Sequence, residues 1–402
     1  MRHQKNTFRI VGTILIGFLS ALLLKWVVFA PPSSTDTVQT SSVTTASNAH
    51  STETNESSAV SLFQGDLASQ KVLAQKVIAD IERGITADDF QTGSARYDSE
   101  WAVGSYQMAV LGLGQIITAH PEMKATYLPV MNRGVEALLT PEMNQFGSEA
   151  WDSEGLRSLG IDDGHAYLGY TNLALSMMRL HDPNNELASV NDALTQALLR
   201  RLEQTPYGIV ETYPNEVYPA DLAAVIGSIA LYDTATGKDN SQSLKKLINH
   251  FVQNYLDDKS GLVFQAIDAR SGEPVDHPRA SGTSLSAYFL SFADSEVAST
   301  VFQGVKEHQK LEIFNLVGIK EYPKGKIGDG DVDSRTLVSG VSPAATAFAI
   351  SGARITQDLP LYQTLYKTVD FFGSSPLATN ANQSLIESPL GNAVLLAMLT
   401  AK

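Results

Sequence analysis

The chain reads as an all-α protein: about twelve helices, paired into six hairpins and arranged in two concentric layers, behind one transmembrane helix and a disordered linker. Three observations predict this. From Asp66 onward, apolar residues fall mostly at helical spacing. Every second helical segment is small and apolar on most faces, while its neighbours are amphipathic, which suits buried helices covered by outer ones. Six polar, acid-rich stretches, beginning at Tyr97, Ile161, Glu211, Val275, Gly328 and Glu387, recur about 50 to 65 residues apart, the length of two helices with their connections. Each opens an apolar helical segment, so a closed ring brings all six to one rim.

The N-terminus precedes this body. Arg2, Lys5 and Arg9 lead into an apolar run from Ile10 to Ala30, interrupted at Lys25. About 20 residues match a bilayer's hydrocarbon, and the basic flank predicts a cytoplasmic tail over 1–9 with a signal-anchor over 10–30. A cleaved signal peptide is the rival, with Val28 and Ala30 before the cut. Pro31 and Pro32 fit a peptidase's extended binding mode poorly, so an uncleaved anchor is expected. Residues 31–61 are rich in Ser and Thr and too polar to repay ordering, hence a flexible linker. The body, 66–402, is therefore expected outside the bacterial cytoplasmic membrane.

Composition narrows the function. With 402 residues there is room for one large domain or two ordinary ones, and 43% hydrophobic residues supply an ordinary core. A net charge of -14 argues against a nucleic-acid partner. The chain has no cysteine, which excludes zinc–thiolate sites, disulfides and cysteine nucleophiles.

Along the body, Leu67, Val72, Leu73, Val77, Ile78 and Ile81 mark a first amphipathic helix. A second runs from about Glu100 to Ala119, where Gly104, Gly112 and Gly114 suit close approach by a neighbour. Further helices are expected near 122–139, 164–180, 184–203, 219–235, 239–255, 280–293, 295–310, 341–356, 359–373 and 389–401. The small apolar ones cover 166–178, 222–232, 285–292, 344–353 and 393–399. Strand signals are weak: GIVETYP, GLVFQAID and a small hairpin around Arg270–Gly272, which do not add up to a sheet.

In its period and in the placement of its polar loops, the region from Asp66 to Lys402 resembles the six-hairpin toroids, the (α/α)6 barrels of many glycoside hydrolases, polysaccharide lyases and sugar epimerases. The resemblance implies a substrate mouth formed by the loops that enter the inner helices. Inner-helix N-termini would also turn their positive dipole ends to that mouth. The terpenoid enzyme linalool dehydratase-isomerase shares the barrel, but its chemistry is associated with cysteines, absent here.

The densest polar stretch is GDGDVDSR. Asp329, Asp331 and Asp333 alternate in an extended loop and so turn to one side, while Gly328 and Gly330 permit a tight path. Neighbouring carboxylates drive their pKa values apart, as acid/base or nucleophilic catalysis requires. The alternation also begins a calcium-loop pattern, which fails at Ser334 and Gly340. Capping or loop structuring is the third reading.

Asp98 and Glu100 fit an N-cap and first-turn charge, or, beside Tyr97 and Trp101, a sugar site in which flat rings stack on C–H faces. Asp162, Asp163 and His165 open another inner helix; His165, followed by Tyr167 and Tyr170, is a proton shuttle or a structural histidine. Glu211, Tyr213, Glu216, Tyr218 and Asp221 cluster before a first-turn proline, Pro219, which places Asp221 in the first helical turn. Arg279 holds a carboxylate or phosphate, or pairs with a rim acid. Glu321 and Tyr322 add an acid and a ring. No His/Glu spacing makes a zinc site, and neither a phosphate loop nor a GxSxG elbow occurs; no cofactor or metal is expected.

These readings point to a membrane-anchored, extracytoplasmic glycan-active enzyme, a glycoside hydrolase with two carboxylates flanking the scissile bond. The catalytic candidates are Asp331 or Asp333 paired with Asp163 or Glu100. Asp98, Trp101, Trp151, His165, Tyr213, Glu216, Asp221, Arg279 and Tyr322 are candidates for binding a poly- or oligosaccharide, with Trp101, Trp151, Tyr213 and Tyr322 as sugar platforms. The alternatives are a lyase or epimerase on uronic-acid glycans, in which a tyrosine or His165 takes a proton and Arg279 neutralises the carboxylate, and a non-catalytic envelope glycan-binding or assembly factor.

Overall fold

The small apolar segments form the inner wall of a barrel. The structure, a computed structural model, describes residues 57–153, 166–313, 315–332, 334, 337–373 and 388–402. The expected anchor, nearly all of the linker, Asp162, Asp163, His165 and Asp333 lie outside the described residues. Among the described residues, no helix is long and apolar enough to cross a membrane.

Among the described residues, six helices make the inner layer: α2 (Ala95–Ala119), α5 (Tyr167–His181), α7 (Pro219–Thr236), α9 (Ala280–Leu290), α11 (Pro343–Ile355) and α13 (Pro389–Thr400). Each packs on the next, and α13 returns to α2, so the ring closes. Outside it lie α1 (Leu67–Arg83), α3 (Lys124–Leu138), α6 (Ala188–Gln204), α8 (Ser241–Asn254), α10 (Ser295–His308) and α12 (Leu359–Gly373). This is the (α/α)6 toroid that the periodicity predicts. The two layers follow from side-chain chemistry. Nearly every residue of α7 from Pro219 to Tyr232 is buried, whereas α8 buries only Leu244 and Phe251 and leaves its charged face to solvent.

Neighbouring inner helices run the same way. Gly104 of α2 faces Leu390 and Gly112 faces Leu396, so α2 and α13 are parallel. Likewise Gly169 of α5 meets Val225 of α7, and Asn172, one turn on, bonds to Ser228. Such close contacts depend on glycine. A Cβ on Gly227 would overlap the Phe289 carbonyl oxygen of α9, a backbone atom that cannot swing aside. Gly227→Ala is therefore expected to cost about 1–3 kcal/mol through overpacking, read as a lower denaturant midpoint at unchanged slope.

The barrel's lower end is filled. Gln115 Nε2 donates to the Tyr288 hydroxyl at 2.9 Å, and Thr400 Oγ1 donates to Gln115 Oε1 at 2.7 Å. The first of these bonds joins α2 to α9, which are not neighbours in the ring, so it crosses the interior. All three groups sit near the C-terminal ends of their helices. The N-terminal rim is left to the polar loops.

Three expectations need correction. First, α2 begins at Ala95 rather than near Glu100, because Ser94 takes an extended cap conformation (φ -140, ψ 122). Asp98 and Glu100 thus lie in the first turns of the helix. Second, an unpredicted helix, α4 (Pro141–Trp151), packs on α2 and α3; Thr140 caps it by accepting from the Met143 amide, with Pro141 in the first turn. Third, there is a sheet. The strands β3 (Lys310–Ile313), β4 (Leu316–Lys320) and β5 (Val341–Ser342) are antiparallel, in the order β3-β4-β5. The amides of Val317 and Ile319 also donate to Thr368 and Thr346, so helix hydroxyls hold the middle strand. The expected hairpin does form: Gly272 (φ +72) donates to the Asp268 carbonyl, and β2 (Ile267–Asp268) pairs with β1 (Glu216–Val217).

Candidate active site at the inner-helix rim

Successive loops around the rim are stitched together by their backbones. Ala166 N donates to Glu211 O, joining the approaches to α5 and α7. The β1–β2 pair, with Glu216 opposite Asp268, joins the approaches to α7 and α9. Ala280 N donates to Glu321 O, joining the approaches to α9 and α11. These loops, distant in sequence, therefore share one surface, and the described residues on it form two constellations.

The first spans α2, α5 and α7. The Tyr213 hydroxyl donates to Glu100 Oε1, and the Arg96 guanidinium lies 4.4 Å from the Tyr213 ring centroid. Tyr213 leans on Tyr167 (6.1 Å between centroids), which stacks on Tyr170 at 5.4 Å. The Tyr170 hydroxyl donates to Asp221 Oδ1 at 2.6 Å, and Thr212 Oγ1 donates to Oδ2 at 2.6 Å. Trp151 Nε1 donates to the Thr212 carbonyl at 3.1 Å. Glu100 and Asp221 thus stand at the two ends of one aromatic wall. Burial pushes the Asp221 carboxyl above its ordinary range, against the hydroxyls of Thr212 and Tyr170. Burial, then the charge of Glu100, pushes the Tyr213 phenol far up, so it stays a hydrogen-bond donor.

Other candidates are peripheral to this wall. Asp98 accepts from the Thr92 amide at 2.8 Å and fastens the chain before α2. Trp101 packs edge-on against Phe90 at 5.7 Å. Exposed Glu216 accepts from the Tyr218 hydroxyl at 2.9 Å.

The second constellation surrounds Arg279, at the N-cap of α9. Its Nη2 donates to Asp276 at 2.8 Å and its Nη1 to Asp331. Asp331 also accepts from the amide and hydroxyl of Ser334, at 2.8 and 2.9 Å. Burial alone would raise the Asp331 carboxyl, but the Ser334 amide and the Arg279 charge outweigh it and hold it below the usual range. Asp331 is thus a fixed anion. The Tyr322 ring centroid is 5.4 Å from the guanidinium carbon, and its hydroxyl donates to the Asp329 carbonyl at 3.1 Å. A Cβ on Gly328 would overlap the same ring, so Tyr322 clamps the aspartate loop. Beneath these groups, fully buried Glu321 accepts from the Ser281 hydroxyl.

Glu100, Trp151, Tyr213 and Asp221 are brought together in one constellation, and Arg279, Asp331 and Tyr322 in the other. Arg96 and Thr212 had not been singled out, and Glu321 had been noted only as a further acid ahead of the aspartate loop. Arg96 had a signal, since it lies four residues before Glu100 and so shares its helix face. Among the described residues, no three His, Cys, Asp or Glu side chains are placed to hold a metal ion.

No protein-family model matches the chain, and no curated protein sequence matches it. Solved structures do. A family 105 glycoside hydrolase from C. acetobutylicum ATCC 824 is similar with a TM-score of 0.55 at 12% identity, covering 82% of this chain and 98% of that one. A possible member of family 105 from Salmonella enterica serovar Paratyphi A gives 0.51 at 12% identity, with 83% and 93% covered. An unsaturated glucuronyl hydrolase specific for heparin gives 0.50 at 12% identity, with 82% and 95% covered. At such identity the likeness is one of backbone path: these chains share the toroid.

Proposed function

We propose that this protein is a glycan-active enzyme, a glycoside hydrolase working at the inner-helix rim on an oligo- or polysaccharide. One observation carries the reading: Glu100 is held at the rim by Tyr213 and continues into a wall of tyrosines ending at a second carboxyl, Asp221. Hydrolysis of a glycosidic bond needs carboxyl groups placed about a sugar ring, and flat apolar rings bind that ring's C–H faces. The glycoside hydrolases named above, which share the fold, support the class.

Within this reading Glu100 is the first choice for a reacting carboxylate. Asp221, with both oxygens engaged, positions Tyr170 and through it the stack. Asp331, an anion paired with Arg279, suits charge stabilisation or base chemistry better than proton donation. Asp163 and Asp333 are further candidates for the second carboxylate, on the strength of their places in the polar stretches. The uronate-lyase and epimerase alternatives lean on Arg279, whose two Nη groups already serve Asp276 and Asp331. The body is tethered by residues 10–30 outside the cytoplasmic membrane.

The full chain should release reducing ends from an oligosaccharide panel, without the ultraviolet absorbance of unsaturated sugars, and the activity should sediment with membranes. Unsaturated products would replace hydrolysis with elimination. Binding without turnover of any panel member would leave the non-catalytic factor as the better reading.

A further inference from the structure

Glu321 is 0% exposed, and its Oε2 has no hydrogen-bond partner. The Nε of neighbouring Arg279 is likewise buried and unpartnered. The guanidinium is a rigid fork, and each of its Nη groups bonds to a carboxylate, Nη2 to Asp276 and Nη1 to Asp331. One cation therefore faces three carboxyl groups. The charged or polar groups around Glu321 are Arg279 and Ser281 at the start of α9, Asp331 in the loop, and Ser342 at the start of α11; Tyr322 lies over Arg279. A buried carboxylate with a donorless oxygen and no cation of its own is costly, and the proton-bearing form avoids most of that cost.

We propose that Glu321 is a positioning residue acting through Arg279: as a neutral acid it leaves the guanidinium to Asp331, which holds residues 322–331 at the rim, and on ionising it draws Arg279 away and frees that segment. Only one proton moves, from Glu321 to solvent. The freed Nε donor and the bare Oε2 are complementary, and a planar guanidinium that turns to join them gives up its bond to Asp331. Burial, the largest influence, raises the Glu321 carboxyl in the same sense and outweighs the Ser281 and Ser342 hydroxyls and the Arg279 charge, which act the other way. The sign follows: stability contributed by neutral Glu321 is full below the ordinary glutamate value of 4.5 and is lost as pH rises through the raised one.

The segment carries its own reporter, because Lys324 and Lys326 are both exposed. Tryptic cleavage of the full chain after these lysines is followed by mass spectrometry from the ordinary glutamate value of 4.5 upward into the alkaline range, normalised at each pH to a free peptide of the same sequence. The wild type should be cut faster as pH rises, by roughly tenfold for each pKa unit of coupling between Glu321 and the segment. Glu321→Gln, a permanently neutral amide of the same shape, should be cut slowly throughout. A flat wild-type profile, or a Glu321→Gln profile that follows the wild type, overturns the proposal. Asp331→Asn covers the case in which Glu321→Gln does not fold: it should be cut fast at every pH, and slow cutting would overturn the role of the Arg279 pair. The inference takes its importance from the rim being the working mouth. The cleavage needs no glycan, however, so failure of the gate and failure of the hydrolase reading are told apart.

Discussion

Glu100→Gln is expected to lower kcat on a cleaved oligosaccharide by about 10²–10⁴-fold, the range for removing a positioned acid or base. KM should change little. The amide has the carboxylate's shape, and its oxygen still accepts the Tyr213 hydroxyl, so the wall stays in place. Tyr213→Phe keeps the ring against Tyr167 but leaves Glu100 without that donor, and should fall between the wild type and Glu100→Gln. The two variants should melt near the wild-type temperature, since Glu100 is only half-buried at the rim. Full turnover by Glu100→Gln would move the reacting carboxylate elsewhere, with Asp163→Asn and Asp333→Asn as the next variants to assay.

The second large effect is on stability. Arg279→Ala should cost about 2–4 kcal/mol in chemical denaturation, toward the lower side of the range for a broken buried pair. The arginine is 12% exposed, but Asp276 and Asp331 are 39% and 36% exposed, so water partly replaces the lost guanidinium. Arg279→Lys restores the charge without the fork that reaches two aspartates and should recover only part of the loss. The pH dependence has a definite sign. Asp331 is held below its ordinary value of 3.8, so its contribution is present above that pH and disappears as pH falls through the lowered value. The gap between wild type and Arg279→Ala should be full at neutral pH and should narrow in acid. A gap that persists unchanged in acid would mean that Arg279 acts by packing rather than by charge.

Much of the architecture was legible because burial leaves a mark on composition. A helix surrounded by other helices has no polar face, so α7 and α13 stand out beside charged α8 and α6. The glycines anticipated in α2 are the ones against which Leu396 and Met177 pack. The helix α4 was marked by Thr140-Pro141, a cap followed by a first-turn proline, but it breaks the alternation of inner and outer helices and so escaped. The sheet β3-β4-β5 was hidden for a different reason. Its strands are two to five residues long, too short for a period, and they persist through bonds to Thr346 and Thr368 on helices far away in the chain.

The site divides along the same line. Residue type and spacing were enough to mark Glu100, Tyr213, Asp221, Arg279 and Asp331 as candidates, because several acids, rings and a guanidinium at helix starts are conspicuous in one dimension. Their partnerships were not. That Asp331 is neutralised by Arg279, that Tyr322 clamps a loop, and that Glu321 is buried with one bare oxygen depend on which loops the closed ring presses together. By itself the sequence determined the six-hairpin ring and the rim at which its polar stretches would meet, since periodicity and burial are local properties of a helix. Only the tertiary structure decided which carboxyl groups are pushed above their ordinary range and which are held below it, since the dielectric and the partners that set a pKa come from residues remote in the chain.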